Sequence, residues 1–597
     1  MRLTISIITI VSLPFVVINA AQTPHSYAAQ YTGCPSESII RQAGTVEKGT
    51  QALGKKESTY VEERRKRVIP GAYRDYLSNV EESLRGHSER LPSYVRRILR
   101  GDKVDRPHVS AAISGGGLRA SYVGAGVLNG FDGRNSSAVA AGTGGLLQAL
   151  DYITGLSGGA CLVMSLAQAN FPSIHDLALG PRSLPNLQEE AAIPTGSNRG
   201  WLTDINFVAP ATLDLAKNGL WWTTIAGDVV EKAAGGFKVS VADIYARVLG
   251  YHFVNGTTRS NFFDPNAPHA LGETMSSLWR MVPTLRNFSQ PFPLITAIPD
   301  SPGQGRENVV QGAVVPLTNN QYEFGIFESG SWDPNLATFI ETERLGSLPG
   351  SGHCVENFDN LGFLVAASSN IFRKYDNLVS ALLPKAYVSL FPRIETVLSL
   401  IPNPFLRLGT DEYLDKNTET LGLMDGSFGG ENIPFAPLLV PAREVDVILA
   451  VDASDDTGTG WPDGSTLLAT SKRSRLFPPR TYPFPNVTDI SSLSRTRPSF
   501  IGCTASVGTP LIVYIPNAPP VPTVPTVSLE VSREEGVSVL DAAITLAITS
   551  DPLWGGCLAC AVVDRTRARV GEKRLGFCAT CFNRYCFDQD NLESSEV

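Results

Sequence analysis

The apolar positions of this chain fall into a repeating order of strand, glycine turn and helix. A short β-prone run at 109–113 leads into Ser114-Gly115-Gly116-Gly117, and a helix-compatible stretch follows over 119–128. That order is the building unit of a parallel α/β sheet. The same grammar returns at 150–153, then Gly155-Leu156-Ser157-Gly158-Gly159, then a helix-like stretch over 160–169. It returns a third time, in the opposite sense, where 445–451 reads as a strand buried on both faces. Upstream, 36–100 carries Glu, Arg and Lys between apolar residues at helical spacing, which predicts solvated helices packed on one side. The run Arg64-Arg65-Lys66-Arg67 reads as a charged helix face, with a processing site as the alternative.

From about 200 to 420 the rhythm breaks into stretches rich in Trp, Phe, Pro and Gly, expected as insertions forming a cap or lid. Within them Trp221-Trp222 is either a lipid contact or part of a buried helix. The proline-rich 515–527 predicts an extended surface crossing. No internal repeat is visible. The pattern predicts an α/β fold: a parallel-rich central sheet, flanking helices and large cap insertions.

Composition adds size and compartment. With 597 residues, 43% hydrophobic and 18% charged, the chain can bury a large core. Its net charge of -8 is spread without a basic face, which speaks against nucleic acid as a partner. Residues 1–21 have the charged start, short apolar centre and small-residue end of a signal peptide, leaving 22–597 as one catalytic domain. Thr4, Ser6, Thr9, Ser12 and Pro14 interrupt the apolar run, which is short for a span of ~20 residues. Acceptor sequons begin at Asn135, Asn255, Asn287 and Asn486, in keeping with secretion to the medium, wall or vacuole. The polar end of the chain lacks the apolar segment of a GPI signal, so the mature protein is expected to be soluble and without a transmembrane anchor.

The nine cysteines include Cys557-x-x-Cys560 and Cys578-x-x-Cys581, which have zinc-ribbon spacing. An oxidising lumen favours disulfides instead, with Cys586 as the fifth cysteine of a Cys-rich segment at 557–586. An odd total leaves at least one thiol free or paired between chains.

The chemistry is carried by the two glycine turns. Gly155 to Gly159 fits the G-x-S-x-G elbow, whose glycines permit a strained strand-to-helix turn that exposes a nucleophilic serine. Ser114 to Ala120 offers consecutive amides for an oxyanion hole, and it lacks the lysine and spacing of a phosphate-binding loop. All seven histidines, His25, His87, His108, His175, His252, His269 and His353, lie at or before residue 353. An α/β hydrolase with a conventional triad places its histidine last in the chain. A Ser/Asp dyad, with the carboxylate as direct general base, fits better.

On these blocks the sequence resembles the fungal phospholipase B / lysophospholipase family, related to the cytosolic phospholipases and to patatin. The matching strings are Ser114 to Ala120, Gly155 to Gly159 and Asp425-Gly426 through Asn432-Ile433-Pro434. Others are Cys34-Pro35, Gly330 to Pro334, Cys354 through Phe363, Ser368-Ser369 and the Cys557-to-Cys586 segment, so the match spans almost the whole mature chain in order. The resemblance implies Ser157 as nucleophile, Asp425 as base, and the amides of Gly116, Gly117 and Gly158 around the oxyanion. It implies a place for Arg119 at the phosphate head group or in the geometry of its loop. It also implies phospholipid and lysophospholipid substrates met at a lipid interface, water or a second lysolipid as acyl acceptor, and no metal or cofactor. The chain departs from the pattern at Ala160-Cys161, where Ser-Trp is usual, at Ser427 for glycine, and at Glu431 for Gln. Two rival readings are a secreted esterase using Ser157 with one of the histidines, and a glycosylated homologue that kept the fold without activity.

Overall fold

In the computed structural model the described residues are 26–180, 201, 205–258, 260–301, 320–456 and 458–587; the expected signal peptide and the polar chain end lie outside them. Five strands form the parallel heart of one large sheet. They are β1 (Val109–Ile113), β2 (Tyr152–Gly155), β3 (Phe292–Pro299), β5 (Val447–Asp452) and β6 (Leu511–Pro516), side by side in the order β6-β5-β1-β2-β3. Every residue of these five strands is buried, as strands covered on both faces must be. The strand expected in the opposite sense, β5, runs parallel to both β1 and β6.

Beyond β3 the sheet continues antiparallel through Tyr322–Gly325, Glu328–Ser331 and Thr338–Glu341. A hairpin of Ser399–Pro402 with β4 (Thr420–Met424) joins the far end of β3. The stretch 200–420 is therefore not all cap: β3 lies inside it and is integral to the sheet. Its hydrophobic content reflects that double burial, which a local pattern does not separate from a lid.

Helices α1 (Leu118–Asn129) and α2 (Gly158–Gln168) follow β1 and β2 directly and are buried on every side. Apart from Arg119, Asn129 and Gln168 their sequences are apolar or small all round, as helices enclosed by other layers require. Helix α3 (Val241–Phe253) opens with a capping box in which Ser240 and Asp243 satisfy each other's end of the chain. It packs on α4 (Leu361–Ser368), while α5 (Arg533–Ile548) covers α1.

Trp221 and Trp222 are buried in the helix Leu215–Ala234, so they belong to the core and not to a lipid contact. Arg64, expected on a charged helix face, is fully buried and donates to the carbonyls of Leu150, Phe288 and Gln148. Arg65 pairs with buried Asp151 at 2.7 Å. This half of the basic run clamps the entry to β2. Four disulfides, Cys34–Cys354, Cys503–Cys586, Cys557–Cys581 and Cys560–Cys578, use eight of the nine cysteines. The ninth, Cys161, is a buried free thiol.

Candidate active site

Parallel pairing brings the two glycine turns together. Ile113 and Gly155 stand opposite each other at the carboxyl ends of β1 and β2, the edge at which open α/β sheets hold their ligands. Ser157 leaves that edge with φ 56° and ψ -124°, a strained conformation for a residue with a Cβ, and caps the start of α2. A methyl group on Gly158 would sit 1.9 Å from the Gly117 carbonyl oxygen, so only glycine lets the turns touch. The Gly115 amide donates to the Asn432 carbonyl at 2.9 Å, which docks the Asp425 loop onto the first turn. Among the described residues, the amides of Gly116, Gly117 and Gly158 donate to no acceptor.

Asp425 arrives from the end of β4. Gly155 pairs with Ile295 of β3, and Met424 pairs with Ile298 three residues on. The register carries residue 425 to the elbow across more than 250 positions of sequence. Its carboxylate is buried, accepts the Ser427 amide at 2.8 Å and interacts with the Ser157 hydroxyl. Burial pushes its pKa up, against the lowering effect of the Ser427 amide, the Ser157 and Ser427 hydroxyls and Lys374. A carboxylate made more basic beside a serine hydroxyl can take its proton.

No described histidine hydrogen-bonds to either residue. His252 is sandwiched between Phe207 and Phe262, and burial drives its pKa down to about 3. His269 is held by Thr257 and the Asp264 carbonyl, and His108 lies 3.1 Å from Asp151. His87 and His353 are exposed. His25 lies outside the described residues.

Arg119 is fully buried, and three of its nitrogens are occupied: Nε by the Ala453 carbonyl at 2.9 Å, one Nη by the Val524 carbonyl at 2.6 Å, the other by Thr526 Oγ1 at 3.0 Å. It ties the first turn to the end of β5 and to the segment after β6. The proline-rich 515–527 is accordingly not a mere surface crossing. Its first residues complete β6, and Thr526 and Val527 line the cavity beside Ser157.

That cavity is narrow, about 30 Å³, and is walled by Cys161, Phe207, Tyr245, Leu249, Phe372 and Leu378. Its mostly apolar lining is compatible with the first carbons of a hydrocarbon chain leading away from Ser157. Of its walls, Gly117, Leu118, Ser157, Gly158, Cys161 and Ser369 lie within blocks singled out by sequence. The others are ordinary core-type residues until the fold brings them together.

The departures at Cys161, Ser427 and Glu431 are accommodated. Burial raises the Cys161 thiol to about 12, so it is a neutral part of the cavity wall. Ser427 donates its amide to Asp425, a task open to any residue but proline, and its hydroxyl also favours the ionised Asp425, which glycine could not do. Glu431 is buried with Arg473 at 3.3 Å and accepts from Gln321 at 2.6 Å. Of the sequon asparagines, Asn287 and Asn486 are exposed. The side-chain amides of Asn135 and Asn255 are half-buried and donate to the carbonyls of Asn129 and Gln168.

With this geometry in place, the likeness to known proteins is specific. The family model of the lysophospholipase catalytic domain matches residues 109–591. Lysophospholipase 3 of Saccharomyces cerevisiae is 30% identical over 98% of this chain and 85% of its own length. Lysophospholipase 2 of Aspergillus fumigatus is 31% identical over 95% of this chain and 93% of its own. Among solved structures, human GIVD cytosolic phospholipase A2 superposes with a TM-score of 0.58 at 16% identity, covering 90% of this chain and 69% of that one. This last likeness is one of fold.

Proposed function

Because the chain belongs to the lysophospholipase catalytic-domain family and is a phospholipid ester hydrolase, we propose that it works through a Ser157–Asp425 dyad on lysophospholipids and phospholipids. Ser157 Oγ attacks the acyl carbonyl while Asp425 takes its proton. The free amides of Gly116, Gly117 and Gly158 hold the oxyanion, and the first carbons of the acyl chain enter the apolar cavity. Asp425 then returns the proton to the leaving alcohol. Water, activated by the same carboxylate, releases the fatty acid. A second lysolipid in place of water makes the product a diacyl lipid, so transacylation is part of the proposal. Arg119 acts by holding the oxyanion loop, since its donors are directed at protein oxygens.

The observation that carries this reading is the buried Asp425 carboxylate, made more basic by burial and beside the Ser157 hydroxyl, with no described histidine bonded to either. The signal-like 1–21, the disulfides and the sequons support a secreted glycoprotein that meets its substrates at a lipid surface, with Asn287 and Asn486 as the accessible acceptors. The test is to incubate purified protein with lysophosphatidylcholine and with diacyl phosphatidylcholine, with and without a chelator. Fatty acid release unchanged by chelator is expected. No release from either lipid would overturn the reading.

A further inference from the structure

We propose that Ser368 is a positioning residue for the reaction, its hydroxyl oxygen holding the backbone of the nucleophile in the strained elbow. The inference rests on the assignment of Ser157 and Asp425 above. A non-glycine residue at φ 56° persists only where its surroundings over-determine it. Ser157 is 5% exposed, so its backbone N–H is out of reach of bulk water. Ser368 Oγ accepts that N–H at 3.0 Å from the last residue of α4, itself fully buried. An unpaired amide there is costly, and the peptide before Ser157 would turn to find another acceptor. The bond also removes the Ser157 amide from the oxyanion donors, leaving the three glycine amides.

The two residues after Ser368 complete the arrangement. The Asn370 carbonyl accepts the Asp425 amide at 3.1 Å. Its side-chain Nδ2 donates to the Val397 carbonyl at 2.7 Å and to Ser399 Oγ at 3.1 Å, at the start of the strand paired with β4. Between them, Ser369 lines the apolar cavity together with Tyr245, its hydroxyl donating to the Val365 carbonyl at 2.8 Å. Three consecutive residues thus meet the nucleophile, the acyl cavity and the base. The segment 368–370 sets the distance between Ser157 and Asp425, and a displacement of ~1 Å in such a pair is worth on the order of 100-fold in rate.

Ser368→Thr and Ser368→Val have nearly the same shape and differ in the hydroxyl, so any crowding affects both alike. The measurements are kcat and KM on lysophosphatidylcholine, and the rate at which an alkyl fluorophosphonate labels Ser157. Ser368→Val is expected to fall at least ~10-fold below Ser368→Thr in kcat and in labelling rate, with KM within about threefold. Ser368→Ala, which only removes atoms, is expected to lose about 10- to 100-fold against wild type by both readouts. Equal rates for Thr and Val, together with wild-type labelling in Ser368→Ala, would overturn the proposal. Failure of wild-type protein to be labelled at Ser157 would overturn the nucleophile assignment and this proposal with it.

Discussion

Asp425 shows at the scale of one residue how catalysis and stability oppose each other. Its carboxyl pKa is raised mainly by burial, so the ionised form that the proposed mechanism uses as base is disfavoured by the fold. A raised carboxyl pKa contributes stability that is fully present below the unfolded value and is lost as pH rises through the folded one. Asp425→Asn should therefore be no less stable than wild type at pH 7. Its melting temperature relative to wild type should climb between pH 4 and pH 7. A variant that is less stable at pH 7 by more than at pH 4 would contradict the assigned burial effect. The same shift predicts that kcat/KM rises with pH along a limb centred above the ordinary carboxylate range, measurable on any soluble ester.

Arg119 gives a second test at this scale. A guanidinium whose donors hold Ala453, Val524 and Thr526 shapes the loop, whereas one that binds phosphate discriminates among substrates. Lysine lacks the planar fork that reaches three acceptors. Arg119→Lys should lower kcat/KM on lysophosphatidylcholine and on an uncharged p-nitrophenyl ester by similar factors, about tenfold or more. A loss confined to the phospholipid would place Arg119 at the head group.

At the scale of elements, the site exists because two parallel strands end together and their glycine turns interlock. Gly158→Ala places a methyl 1.9 Å from the Gly117 oxygen. The turns must separate, at a cost of about 1–3 kcal/mol typical of overpacking, and fluorophosphonate labelling of Ser157 should slow sharply. Labelling at the wild-type rate would mean the turns need not touch. These turns were legible in the sequence because each is local: strand, glycines and helix lie within some 20 residues of one another. Asp425 was legible only through its motif, since its position beside Ser157 depends on strand pairing through β3. Ser368 was marked only as part of the Ser368-Ser369 string; the bond its hydroxyl makes to Ser157, the clamp on Arg119 at 524–526 and several cavity walls were not legible as a site. Their partners lie hundreds of positions away, and serines or core aromatics carry no local mark of such a role. The burial of Arg64 was hidden, and that of Trp221 and Trp222 left open, for the same reason: an apolar or basic run looks alike on a surface and in a tertiary contact.

Over the whole molecule, the disulfides fasten the N- and C-terminal segments into the fold, and of their eight cysteines only Cys34 and Cys586 are not buried. Cys557–Cys581 and Cys560–Cys578 join the helices Trp554–Val562 and Phe577–Tyr585, while Cys34–Cys354 fastens the N-terminal segment to the strand Cys354–Glu356. A 24-residue closure such as Cys557–Cys581 is worth about 3 kcal/mol through the unfolded chain. The double variant Cys557→Ser/Cys581→Ser should melt earlier, yet label at Ser157 at the wild-type rate well below its melting temperature. Loss of labelling in the folded variant would tie this staple to the site.

The whole account turns on which group acts as base for Ser157, and the lipid assay decides it. Initial rates of fatty acid release from lysophosphatidylcholine are compared for wild type, Asp425→Asn and each of the seven single His→Gln variants. Asp425→Asn keeps the shape and removes the base, and the account predicts a fall of ~10²–10⁴. Every folded histidine variant should stay within a few-fold of wild type. Near-normal release by Asp425→Asn, with one histidine variant inactive though folded, would contradict the dyad.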